Sequence, residues 1–592
     1  MEQKNLILAI VLSVGILIGF QILVGEQVAP PPPEVAQTGE TTGQAPGGTV
    51  PPQAAPAPTA PGGPSIPSPG GPAAIEVTPG QSRAKTIAQG ERVHIETPTL
   101  RGSLSLRGAR IDDLTLTQYR ETIEPESDEI VLLSPQGTAT PYFADFGWTA
   151  TGLESPLPDA NTLWQADGQI LRPGQPLTLT WDNGAGLLFE IVYQIDSNYV
   201  FTITQRVTNS SEAAVTLLPY GLISRTGTPD ILGFYILHEG LLGVFDETLK
   251  EVDYSDLRDD GPVSQASTGG WLGITDKYWL VALIPDQQRP VNSRFLHDGR
   301  SGVDKYQTDF LYGGISLPAG AQGEVTSNLF AGAKEVLLLD EYETQMGFAR
   351  FDLAVDFGWF YFLTKPLFYA LHYFADLTGN VGVAILLLTV IIKLVFFPLA
   401  NKSYAAMAKM RKLQPEMLKL RERFGDDKQR LNQEMMALYK KEGANPMAGC
   451  LPILIQIPVF FALYKVMFVT IEMRHAPFFG WIEDLSAKDP TSFLNGFGLL
   501  PWDVPNLGLL DPINLGVWPL IMGISMYLQQ KLNPQPPDPI QAKIFLFMPI
   551  IFTFLLAQFP AGLVIYWAWN NVLSILQQYV IMRRHGVRIG QT

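Results

Sequence analysis

The run Val381–Leu399, VGVAILLLTVIIKLVFFPL, is nineteen residues long and apolar except for Thr389 and Lys393. About 20 such residues, each rising about 1.5 Å, cross the roughly 30 Å hydrocarbon layer of a bilayer. The run therefore predicts a transmembrane helix, and most other features must fit around it. A lysine at a helix centre costs on the order of 2.5 to 3.5 kcal/mol and by default marks function. About 9 Å of helix separates Lys393 from the end of the run, so its ammonium can also snorkel to the interface. This span alone leaves both readings open.

The rest of the chain divides by charge. Of the net charge of −16, residues 5–350 contribute 19 Lys+Arg against 40 Asp+Glu, and the remainder 22 against 17. An acidic exported body followed by a basic membrane part fits this split. Residues 6–24, LILAIVLSVGILIGFQILV, follow Lys4 and predict an uncleaved anchor over 1–25 with its N-terminus in the cytosol; Pro30 makes the following stretch a poor signal-cleavage site. Residues 26–74 hold 14 Pro and 8 Gly and no aromatic residue, which predicts a disordered tether. Residues 75–348 alternate apolar and polar positions. Leu177, Leu179 and Trp181 precede the turn Asp182-Asn183-Gly184, and Phe189, Ile191, Tyr193 and Ile195 follow it. This pattern predicts a large antiparallel β-sandwich. Its histidines, His94, His238 and His297, show no metal-ligand spacing, and no nucleophile motif accompanies them.

Residues 349–378 are dense in aromatics, nine of the eighteen between Phe357 and Phe374, which suits an amphipathic helix at the membrane surface. The span 380–400 leads into a polar stretch, 401–448, with 11 Lys+Arg against 6 acidic residues, whereas 472–512 has 2 against 6. The positive-inside rule puts the first in the cytosol and the second outside. Further spans are expected at 449–471, 513–531, 543–559 and 561–582, two of them short enough to thin the surrounding bilayer. The polar stretch reads as a helical hairpin, with Phe424-Gly425-Asp426-Asp427 as its turn and Gln429 three residues after Asp426 as in a capping box. Its methionines, Met407, Met410, Met417, Met435 and Met436, either glue the two helices together or offer an adaptable apolar face to a client. In the last span Tyr566, Asn570, Ser574 and Gln577 form a polar stripe that needs partners inside the bundle, with Thr389 and Gln456 as candidates. Lys465 lies near the outer end of its span and is expected to snorkel outward. Cys450 is the sole cysteine, opens an apolar run and reads as a small buried hydrophobe. No Walker-type loop or metal cluster is present, so neither cofactor nor metal is expected.

The segments DFGWFYFLTKPLF at 356–368, AKMRKLQPEM, RERFGDDKQRLNQEMMALYKKEGANPMAGCLPILIQIPVFFALY, RHAPFFGWIEDLSAKDP at 474–490 and FPAGLVIYW at 559–567 closely resemble the YidC-type membrane protein insertases, a group related to the mitochondrial and chloroplast insertases. The resemblance is specific over about 356–584 and loose over the β region. It implies a multi-pass bacterial inner-membrane protein with a five-helix core and a periplasmic β-supersandwich. It also implies a hydrophilic groove with one cationic residue, commonly arginine and here Lys393, lined by Thr389 and the Tyr566–Trp567 pair. Gln456 and Asn570 join the expected lining. The implied clients are nascent inner-membrane proteins, delivered with the Sec translocon and translating ribosomes into membrane lipid, with no nucleic-acid specificity and no enzymatic step. The tail after Met582, with Arg583, Arg584 and Arg588, is short for a ribosome-binding extension. A secondary transporter or channel for an anionic solute is the alternative, with Lys393 and Lys465 as anion ligands. An anchored sugar-binding receptor is a third reading.

Overall fold

The computed structural model describes residues 66–68, 81–231, 237–358, 360–425, 427–443, 451–500, 502, 504, 514–533 and 539–585. The expected N-terminal anchor, Cys450 and Asp426 lie outside them.

Alternating apolar residues build two facing sheets. An eleven-stranded sheet has Val215–Thr226 at its centre, between Tyr142–Ala150 and Lys305–Tyr312. A nine-stranded sheet centres on Gln322–Ala333, between Val200–Asn209 and Trp279–Ile284. Among the described strands pairing is antiparallel apart from Arg92–Glu96 against Ile170–Leu171. The expected turn is there: Gly184 adopts φ +69°, and Asn183 Oδ1 accepts from the Ala185 and Leu187 amides. Phe189, Ile191 and Tyr193, alternate residues of one strand, are fully buried between the sheets, as a period of two requires. Two short helices, α1 (Arg83–Ile87) and α2 (Tyr254–Asp259), decorate this domain, and α3 (Val336–Met346) leaves it. The tether departs from a uniformly free chain at Ile66, which is buried against Phe143, Tyr220 and Leu222.

The helical region comprises α4 (Tyr361–Thr378), α5 (Val381–Val395), α6 (Phe397–Phe424), α7 (Lys428–Lys441), α8 (Leu451–Val469), α9 (Val517–Leu532), α10 (Pro539–Leu556) and α11 (Ala561–Arg584). Gly379, at φ +67°, closes α4, and the Asn380 side chain caps α5 by accepting from the Val383 amide at 3.0 Å. One apolar cluster runs without a break from the sandwich through Phe351 and Phe357 into α4, α5 and α8.

Among the described residues no single helix is both long and apolar enough to cross a bilayer; α5 and α6 pass that test together, with a 68° bend between them. The straight span expected over 380–400 is thus broken at Phe396. Pro398, in the first turn of α6, lacks the amide needed to continue the α5 ladder, and its ring crowds the carbonyl four residues back. The bend sits one turn beyond Lys393. The hairpin turn falls at the expected residues: Gly425, right-handed at φ −58°, ends α6, and Asp427 caps α7 by accepting from the Arg430 amide at 3.0 Å.

The outer faces of α9, α10 and α11 are apolar. Ile524, Ile551, Leu555 and Leu576 are each more than half exposed. So large an exposed apolar surface on a folded chain needs a lipid or protein cover. On α4, Phe362 and Tyr373 are outward-facing while Phe368 and Leu371 are buried, the two-sidedness expected of an interfacial helix.

Candidate client groove

The polar stripe of α11 and the lysine of α5 meet. Residues four apart share a helix face, so Tyr566, Asn570 and Ser574 form a column that α11 turns toward α5 and α8. Thr389, Lys393, Gln456, Tyr566, Asn570 and Gln577 line one cavity with Phe396, Ala400 and Tyr404. Its cavity volume is about 40 Å³, far below the roughly 300 to 1,000 Å³ of a small-molecule pocket, so the character of the site lies in its lining.

Lys393 Nζ donates to Ser574 Oγ at 2.7 Å, and the Ser574 hydroxyl donates on to the Asn570 carbonyl at 2.7 Å. Gln456 Nε2 donates to Asn570 Oδ1 at 2.7 Å, and the Gln456 side chain also hydrogen-bonds Tyr566. The Tyr404 hydroxyl reaches Ser574 from α6. Thr389 is buried, its hydroxyl donating to Ile385 O of its own helix at 2.6 Å. Among the described residues no carboxylate pairs with Lys393. The half-buried ammonium is therefore solvated by neutral dipoles and keeps its field toward the open side, where an anionic group would feel it. Toward the C-terminal end of α8 the site is closed by rings: Phe460 stacks on Tyr464 and Tyr566, and Tyr464 lies against Phe559.

Five of the six expected groove residues thus come together, and Trp567 does not. One residue on from Tyr566, it is rotated about 100° around the helix. It packs on Phe460 at 4.4 Å between ring centroids and toward Phe552. Ser574, already legible in the stripe, emerges as the direct partner of the lysine. Tyr404 gave no signal, because its place depends on the bend at Phe396.

The methionines separate in the same way. Met417 is buried with Leu413 and Tyr439, and Met410 and Met435 pack on that cluster, so these three join α6 to α7. Met407 is buried against Ile581 and Met582 of α11, fastening the hairpin base to the core. Met436 alone of the five is strongly exposed, at 61%. Of the stripe, only that position is left open to contact from outside the hairpin.

Lys465 does not simply reach for water. Its Nζ meets Asp356 Oδ2 at 2.6 Å, an ion pair between α8 and the segment before α4. Asp340, Glu343 and Asp352 come close enough to hold a cation, a grouping that the sequence did not reveal. The Lys365 ammonium already sits there, 2.8 Å from Asp340 Oδ1 and 3.1 Å from Asp352 Oδ2, and offsets part of its negative charge.

Residues 92–370 match the family model of the YidC periplasmic domain, and residues 373–587 match that of the 60Kd inner membrane protein. The membrane protein insertase YidC of Methylorubrum extorquens is 52% identical over 99% of this chain and 96% of its own length. That of Granulibacter bethesdensis is 49% identical over 99% and 98%. Among solved structures, the active YidC insertase with its first transmembrane domain resolved aligns with 83% of this chain and 93% of its own, at 17% identity and a TM-score of 0.35. Matched by both family models and by relatives along nearly its whole length, the chain belongs to the YidC family of membrane protein insertases.

Proposed function

We propose that this chain inserts hydrophobic segments of newly made proteins into the bacterial inner membrane through the groove around Lys393. The observation that carries this reading is a cation held by a serine hydroxyl, among polar side chains, on helices whose outer faces are apolar. A client's short polar flank, often acidic, moves toward Lys393 while its apolar segment lies along the lipid-facing surface. Polar groups entering hydrocarbon without partners cost several kcal/mol; Gln456, Asn570, Ser574 and Tyr404 supply partners on the way. Release follows when the apolar segment partitions into lipid, which is worth roughly 25 cal/mol per Å² of buried apolar surface. The membrane potential adds about 2.3 kcal/mol per charge per 100 mV. No covalent step is involved.

In this reading the N-terminus and the α6–α7 hairpin face the cytosol, the sandwich faces the periplasm, and the chain crosses the membrane several times. The charge asymmetry of the two polar loops supports that orientation. Clients arrive from ribosomes directly or beside the Sec translocon, and Met436 is the hairpin position placed to meet them. The solute-transporter alternative loses one of its two cations, since Lys465 is committed to Asp356.

Reconstitution tests the proposal. Proteoliposomes holding the purified chain insert a short single-span client with an acidic translocated flank, scored by protease protection. Proteoliposomes that move small anions yet leave the client unprotected would overturn it.

A further inference from the structure

The larger sheet of the sandwich carries a built recess on the face turned away from the core. Phe143, Tyr220, Leu222 and Leu311 come from three adjacent strands and stand on that outer face, because the residues alternating with them, such as Ala144, Ile223 and Phe310, fill the space between the sheets. Its floor is polar and fully paired. Arg294 makes two hydrogen bonds to Asp309, at 2.9 and 3.0 Å, and Gln307 donates to Asp309 Oδ2 at 2.7 Å. Asp309 and Gln307 are both buried.

Ile66 occupies this recess. It is 3% exposed and packs on Phe143, Tyr220 and Leu222, with Leu311 alongside. The following residue is held as well: Gln307 Nε2 donates to the Pro67 carbonyl at 2.9 Å. Composition alone makes the tether a free chain, yet at its one isoleucine the sheet offers an apolar socket and, next to it, an amide donor at a backbone acceptor. Proline helps here, because it needs no partner for an N–H and its fixed φ lowers the ordering cost of an extended strap.

We propose that the outer face of the larger sheet is a peptide-binding site for an extended Ile-Pro segment, filled in cis by Ile66–Ser68 of the chain's own tether. Being intramolecular, the contact needs little intrinsic affinity to stay closed. Its consequence is that the sheet face is shut to peptides in trans while the strap is in place. The inference is independent of the groove reading, since no groove residue takes part.

Two measurements on the full chain in nanodiscs test it. In a Cys450→Ser background, Ile66→Cys with Leu311→Cys forms an intrachain disulfide on mild oxidation, read as loss of both maleimide-reactive thiols, whereas Ile66→Cys with Val131→Cys does not. Separately, a fluorescent peptide of residues 62–70, GGPSIPSPG, binds the Ile66→Asp variant at least tenfold more tightly than the parent chain, whose site is filled. Ile66 lies outside both sheets, so this variant leaves the sandwich fold intact, which an unchanged melting temperature verifies. Equal linking of the two cysteine pairs, or equal peptide binding by parent and variant, overturns the proposal.

Discussion

Lys393 of α5 and Ser574 of α11 are joined by a 2.7 Å hydrogen bond across the groove, and the serine hydroxyl in turn donates a hydrogen bond to the Asn570 carbonyl. The ammonium is thus positioned but not neutralised. Lys393→Ala is expected to reduce insertion of an acidic-flanked client by roughly tenfold or more, a barrier change of about 1.4 kcal/mol per decade. Lys393→Arg keeps most activity, because charge is retained and the guanidinium has more donors to share with Ser574. Ser574→Ala falls between them. Protease protection in inverted vesicles, normalised to the amount of folded protein, checks the order, and an Ala variant as active as the parent contradicts it.

The pair Lys465–Asp356 ties α8 to the segment that leads into α4. Its side chains are 12% and 26% exposed, so removing one partner strands the other in a poorly solvated place. Asp356→Asn and Lys465→Met are each expected to lower the melting temperature of the purified protein. The double variant should lose less than the sum, with a coupling on the order of 1 to 3 kcal/mol. Simple additivity would mean that the lysine merely snorkels.

The fold was legible where a single period governs many residues. Phe189, Ile191 and Tyr193 announce a strand because burial on one face repeats every second residue, and Tyr566, Asn570 and Ser574 announce a polar helix face for the same kind of reason. Lost to the sequence were features set by contacts between distant segments. Trp567 looks like a partner to Tyr566 until the roll of α11 is fixed by Phe460. Tyr404 enters the groove only because the helix breaks at Phe396, and Asp356 is sequence-remote from Lys465. Ile66 sits in a segment whose composition predicts no structure at all, and one apolar side chain is too small a signal to reveal its socket.

The hairpin gives a prediction with opposite outcomes at two methionines. Met417 is buried between α6 and α7 and Met436 is exposed. Met417→Ala opens a cavity worth on the order of 2 kcal/mol in the local packing and is expected to speed amide exchange across both helices. Met436→Ser leaves exchange unchanged. A photo-crosslinking residue captures a stalled client from position 436 and not from 417; capture from both positions would show that the hairpin opens before it meets its client.

The joint between the sandwich and the core is expected to respond to pH through Glu472. Its Oε1 accepts from the Val336 amide at the start of α3, at 3.2 Å, while its Oε2 is buried without a hydrogen-bond partner. Glu335, which accepts from Tyr119 and Tyr199, lies close by, and Arg474 reaches past to the carbonyls of Arg120 and Glu121. Burial, with the Glu335 charge adding to it, pushes the Glu472 carboxyl up from 4.5 to about 7. A folded-state value above the unfolded one means that folding takes up a proton between them. The stabilisation is complete below about pH 4.5 and is lost as pH rises through about 7. Glu472→Gln, which mimics the protonated form, should flatten the decline in melting temperature between these values and exceed the parent above pH 7. Parallel pH–melting curves for the parent and the Gln variant would remove Glu472 as the titrating group.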